Sequence, residues 1–186
     1  MNPRTLITAP TLEPLRIQET KDHLRVDTTD DDAIIDMHLE RARVNVERYL
    51  RRALITQTWD VKYNWFSEEM IVPLPPLQSV TNIKYIDGAG VEQTLSTDVY
   101  DVDTVCEPGR IRRAYGQSWP SVRCQAYPIT VRIVAGYGDN PEDVPSDIRQ
   151  GMLLEIERLY DRDDRIAQYL KDTAQCLLYP YRIIEV

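Results

Sequence analysis

The stretch GYGDNPEDVP, residues 136–145, sets two glycines close together ahead of a helix-like run, the arrangement by which a loop can cradle a phosphate. Such loops let backbone N–H groups approach the anion, usually with a lysine behind them. This one carries Asp139, Glu142 and Asp143, whose charges repel a phosphate where the helix dipole should attract it. Gly136 and Gly138 are therefore read as the tight exit from a strand, and Pro145 as the first residue of the next helix. His23 and His38 are too far apart in sequence to make a local metal pair and read as structural or solvated residues on helices. The run Asp30, Asp31, Asp32 lacks the glycine and closing glutamate of a calcium loop; with Thr29 before it, Asp32 resembles a capping box at a water-facing helix start. Cys106, Cys124 and Cys176 are odd in number and widely spaced, without a C-x-x-C pair, which fits a reducing cytoplasm. No nucleophile, base and orienting group converge from these residues, so no catalytic, cofactor-binding or metal-ligating residue is assigned.

The densest basic cluster is Arg110, Arg112 and Arg113, with Arg123 further on. On a strand, Arg110 and Arg112 share one face while Arg113 points away. Three arginines in four residues are hard to pair internally, which predicts that they face a partner or a channel rather than the core; a solvated sheet face explains them equally well. Over the whole chain 22 Lys and Arg stand against 30 Asp and Glu, a formal charge of -8, so any contact with DNA must be local. A length of 186 residues with 42% hydrophobic content predicts one domain with a real core. Residues 1–14 lack the apolar run of a signal peptide and no later stretch is long enough to span a bilayer, so the chain is expected to be neither exported by that route nor embedded in a membrane.

The elements that must position these residues follow from periodicity. A short helix is expected over 17–26 and a longer one over 31–52, where Ile35, Leu39, Ala42, Val46, Tyr49 and Ala53 draw one apolar seam and Arg41, Arg43, Glu47, Arg48 and Arg51 lie off it. From Thr58 the period becomes two: Trp59, Val61, Tyr63 and Trp65 alternate with Asp60, Lys62 and Asn64, a half-buried strand with an aromatic inner face. The proline-rich PLPPLQSV reads as a connector, and NIKYIDGAGVEQTL as a hairpin turning at Asp87-Gly88-Ala89-Gly90. Short strands are expected over 100–102 and 110–112, and the last over 129–134. A helix over 145–161 follows, with Ile148, Met152, Ile156 and Leu159 as its stripe. The fold class is α+β: a helical platform of two N-terminal helices and a C-terminal helix (15–55 and 144–178), an inserted, mainly antiparallel β unit (56–138), and a tail (179–186), all in one domain.

Several segments taken in order, LITAPTLEPL, KDHLRVDTTDDDAIIDMHLERARVNVERYLRRALITQTWDV, PLPPLQSVTNIKYIDGAG, RIRRAYGQSWP, VRIVAGYGDNPEDVPSDIRQGMLLEIERLYDRD and LLYPYRI, resemble the head-tail connector, or adaptor, proteins of long-tailed bacteriophages and prophages. Leu15-Arg16-Ile17, where a polar cap would be expected, and the extra Pro76 depart from the pattern. The resemblance implies a structural virion protein that is not an enzyme and needs no cofactor. Copies would form a ring under the portal protein, dodecameric on the portal, extend the DNA channel and present a docking surface for a downstream tail or stopper protein. DNA would pass only transiently, no membrane would be involved, and assembly would take place in the bacterial host cytoplasm. The alternative is a phage-encoded DNA-binding module or DNA-processing enzyme. Under the adaptor reading the apolar tail, with Leu178, Tyr179, Tyr181, Arg182, Ile183 and Ile184, is expected to leave the last helix as an extended strand and dock on the portal or a neighbouring copy; the other reading folds it back on its own core.

Overall fold

The computed structural model describes residues 2–161 and 164–184, with the side chains of 164 and 165 left aside. The chain divides into two compact units. One comprises the described residues up to Ala9 together with Thr56–Tyr137; the other runs from Pro10 to Ile55 and resumes at Gly138.

The first unit is β. A five-stranded antiparallel sheet has the order β1-β2-β8-β4-β5, built from β1 (Arg4–Thr8), β2 (Gln57–Tyr63), β4 (Leu77–Ile86), β5 (Glu92–Thr94) and β8 (Ile129–Ala135). β3 (Glu69–Ile71), β6 (Tyr100–Asp103) and β7 (Arg110–Arg113) make a second sheet in the order β3-β7-β6. In β8 the alternation is complete: Ile129, Val131, Ile133 and Ala135 are fully buried while Thr130, Arg132 and Val134 are not. On the outer side Arg132 donates two hydrogen bonds of 2.8 Å to the carboxylate of Asp60, its partner across the β2–β8 pair. The hairpin expected at Asp87 forms between β4 and β5; the Asp87 carboxylate accepts from the backbone N–H of Ala89 and Val91, and Gly90 supplies φ +88°. The aromatic inner face of β2 stops at Tyr63, because the strand ends there and Trp65 lies in the following turn, 67% exposed. The proline-rich connector ends sooner than expected, since Leu77 already opens β4. β1, which the sequence reading missed, covers the free edge of β2 with the register Arg4↔Val61 and Leu6↔Trp59.

The second unit is helical, with α1 (Ile17–Leu24), α2 (Asp32–Leu50), α3 (Ser146–Tyr160) and α4 (Asp164–Leu178). The fold class expected from the sequence is borne out, with one refinement: the C-terminal part is two helices, α3 and α4. The seam of α2 is buried at Ile35, Leu39, Ala42 and Val46, as are Ile148, Met152 and Ile156 of α3; each of these side chains larger than alanine contributes about 1.5–3 kcal/mol. Two polar residues of α2 are inside. His38 is 8% exposed, and Arg43 is buried because Glu13 (2.8 Å) and Glu47 (3.3 Å) neutralise it. Gly151 lets α4 approach α3, since a Cβ there would meet the Leu178 side chain at 2.9 Å. Pro145 is the residue before the helix rather than its first, its carbonyl accepting from the N–H of Ile148 and Arg149.

Candidate partner-binding surfaces

The glycine loop is a strand exit. Gly136 takes φ +135°, and the Asp143 carboxylate closes the turn by accepting from Asn140 N–H. It lies so close to Gly138 that a Cβ there would meet Asp143 Oδ2 at 2.2 Å, so the space an anion would need holds a carboxylate. Among the described residues no group of three or more His, Cys, Asp and Glu side chains is placed to hold a metal ion, and no helix is long and apolar enough to cross a membrane. Two of the three residues in the acidic run at the start of α2 are engaged rather than water-facing: Asp31 accepts a hydrogen bond of 2.6 Å from the Tyr160 hydroxyl, and Asp32 meets the ammonium of buried Lys21 at 2.6 Å, while Asp30 is exposed. The capping box read from Thr29 and Asp32 is replaced by Asp31 at the cap, with no side-chain hydrogen bond.

β7 carries the basic cluster. Arg110 and Arg112 share the face predicted for them, but both find a partner inside the chain, since Glu69 on β3 pairs with each. The expectation that the cluster is hard to pair internally is corrected by one bridging carboxylate, which sequence distance concealed. Arg113 is exposed at the end of the strand, without a partner among the described residues. Just beyond it the chain makes a turn that the sequence reading did not single out. Ala114 N–H donates to Val99 O (2.9 Å), Gln117 N–H donates to Ala114 O (3.1 Å), and Gly116 takes φ +76°. Tyr115 stands on that turn fully exposed. Trp119 pins the far end, stacking on Phe66 with ring centroids 4.6 Å apart and donating its indole N–H to Ser67 O at 3.0 Å. A tyrosine followed by glycine after an arginine strand is the sequence signal for this turn.

The tail is held by its own unit. Tyr179–Tyr181 form a 3-10 turn, not the expected extended strand, because Pro180 fits a first-turn position and Arg182 N–H bonds back to Tyr179 O. Leu178 is buried, Arg52 donates to Tyr181 O, the Tyr181 hydroxyl reaches Asp147 at 3.0 Å, the Arg182 guanidinium lies 5.0 Å from the Tyr49 ring centroid, and Ile183 N–H donates to Leu50 O. Tyr179 and Ile184 remain exposed. Residues 185 and 186, the end of the tail expected from the sequence, lie outside the described residues.

The helical unit also has an open cleft of about 1130 Å³ lined by His23, Asp31, Ile34, Met37, His38 and Glu157, among others. Both histidines of the chain therefore meet one cleft, although they are far apart in sequence. His23 Nε2 lies 3.0 Å from Glu157 Oε2. His38 Nδ1 is buried without a partner, and burial together with the nearby charge of Arg41 holds the pKa of that ring below its ordinary 6.5.

Residues 15–85 match the model of a family described as phage gp6-like head-tail connector protein. Among solved structures, the chain aligns with one in the neck of an empty GTA particle computed with C6 symmetry, at 23% identity and a TM-score of 0.83, over 99% of this chain and 97% of that one. A chain in the virion of a native gene transfer agent particle aligns at 22% identity and a TM-score of 0.78, over 98% and 96% of the two chains. A third, in the neck of the native GTA particle computed with C12 symmetry, aligns at 22% identity and a TM-score of 0.74, over 100% and 97%. No curated protein matches. The likeness to phage head-tail connectors read from the sequence is thus borne out, and at these identities the structural matches establish the fold over the full chain.

Proposed function

We propose that this chain is a structural head-tail connector, a ring-forming adaptor that sits between the portal vertex and the tail of a phage-like particle. The observation that carries the reading is the full-length fold match to neck proteins of gene transfer agents, together with the connector family model over residues 15–85. The symmetric necks in which those relatives sit support a ring here too. In this role the chain extends the DNA channel, meets the portal on one side and a tail or stopper protein on the other, and carries out no catalysis. The net charge of -8 suits a channel that passes DNA without holding it. Tyr179 and Ile184, exposed on an anchored tail, offer a partner apolar surface. The test is co-expression with the portal protein of the same particle, followed by light scattering and electron microscopy. A ring of this chain on the portal is expected; particles that complete their tails without it would overturn the reading.

A further inference from the structure

Resting on the ring reading, we propose that the Tyr115 turn of one copy inserts into the His38 cleft of the next, making the head-to-tail contact around the ring. A ring needs two different surfaces on each copy that fit one another. The turn and the cleft complement each other in two independent respects. Tyr115 is a fully exposed aromatic on a turn fixed at both ends, so little entropy is lost when it docks, and Ile34 (46% exposed) and Met37 (57%) offer an apolar wall in the cleft. His38, 8% exposed, forms the floor between them. Arg113, exposed two residues before the tyrosine and without a partner among the described residues, matches the carboxylates of the cleft, where Asp31 and Glu157 line the wall and exposed Asp30 is next to Asp31 in the chain. DNA is a poorer occupant for the turn. Arg110 and Arg112 are already neutralised by Glu69, and Asp98 and Asp101 are exposed on the adjoining segment.

Disulfide trapping tests the contact on the full chain, with Cys106, Cys124 and Cys176 replaced by serine. Tyr115→Cys and Ile34→Cys in one chain should give, under mild oxidation at high protein concentration, a ladder of dimers, trimers and higher multimers. A mixture of the two single-cysteine chains should stop at dimers. Arg113→Asp should weaken self-association about tenfold, and adding Asp30→Arg should restore it. Absence of the ladder overturns the contact. If rings nevertheless appear on the portal, the ring reading stands and only this interface falls; if they do not, both fall. A gel shift with duplex DNA that is lost in Tyr115→Ala, with no ladder, would assign the turn to DNA and likewise overturn the proposal.

Discussion

Asp32→Ala tests whether the acidic start of α2 is part of the structure or a solvated helix end. The Lys21 side chain is 8% exposed and its ammonium meets an Asp32 carboxylate that is 38% exposed, at 2.6 Å. Removing one member of a fully buried pair costs about 3–5 kcal/mol, because the other charge is left uncompensated. Water reaches the Asp32 side and can partly resolvate the ammonium, which brings the expected loss to about 2–3 kcal/mol. About 0.3–1 kcal/mol of that belongs to the favourable position of a carboxylate in the first turn of a helix rather than to the pair. Lys21→Met keeps the apolar stem without the charge, and with the double mutant it closes a cycle whose coupling should be about 1.5–2.5 kcal/mol. Urea unfolding at neutral pH should be followed by far-ultraviolet circular dichroism, since Trp59, Trp65 and Trp119 all lie in the sheet unit and tryptophan fluorescence would report on the wrong part. A coupling below about 0.5 kcal/mol would place Lys21 effectively in water and refute the reasoning.

Leu39→Ala, at a position 2% exposed in the α2 seam, should cost about 2–5 kcal/mol in the same urea assay. Truncation after Leu178 removes two hydrogen bonds from the tail to Arg52 and Asp147, a third to Leu50 O and the Arg182–Tyr49 contact, so the helical unit should lose about 1–3 kcal/mol by thermal melting. Tyr179→Ala with Ile184→Ala changes two exposed residues of the same segment and should leave the melt unchanged while weakening capture by the portal in a pull-down. Because the folded pKa of His38 lies below its unfolded value of 6.5, the unfolded chain takes up the proton first, and stability should fall as pH drops from 6.5 towards the folded pKa. His38→Gln should flatten that slope in a pH series of urea midpoints.

What was legible in the sequence was local periodicity. The α2 seam, the alternation of β8 and the Asp87 hairpin each rest on residues a few positions apart, and each appears where the pattern places it. Pairing across long separations was not legible. Arg43 looked like a surface residue because its partner Glu13 belongs to another segment, and Arg110 and Arg112 looked unpaired because Glu69 reaches them only through the β3–β7 register. β1 was missed for the same reason: RTLIT is too short to announce itself, and it is a strand because the edge of β2 is there to receive it. The Tyr115 turn could have been read from Tyr-Gly, but its rigidity depends on Trp119 finding Phe66, and no spacing rule carries that.

The charges also bear on how copies of so acidic a chain come together. The sheet unit has eight Lys and Arg against nine Asp and Glu, whereas the helical unit has fourteen against 21, so nearly all of the net -8 sits with the helices. Two copies meeting helix to helix would bring like charge against like. A contact from the sheet unit of one copy to the helical unit of the next avoids most of that repulsion, and because it joins two unlike surfaces it carries the direction a ring requires. At physiological ionic strength the screening length is about 8 Å, so the few groups at the contact decide the sign of the interaction, not the total charge of each copy. Arg113, at the end of β7 two residues before Tyr115, is an exposed cation without a partner among the described residues, and Asp30 is an exposed carboxylate just before α2, the pair proposed for the contact. In the ring proposed above, so acidic a chain would bind its neighbour through one local pair while its remaining negative charge repels DNA.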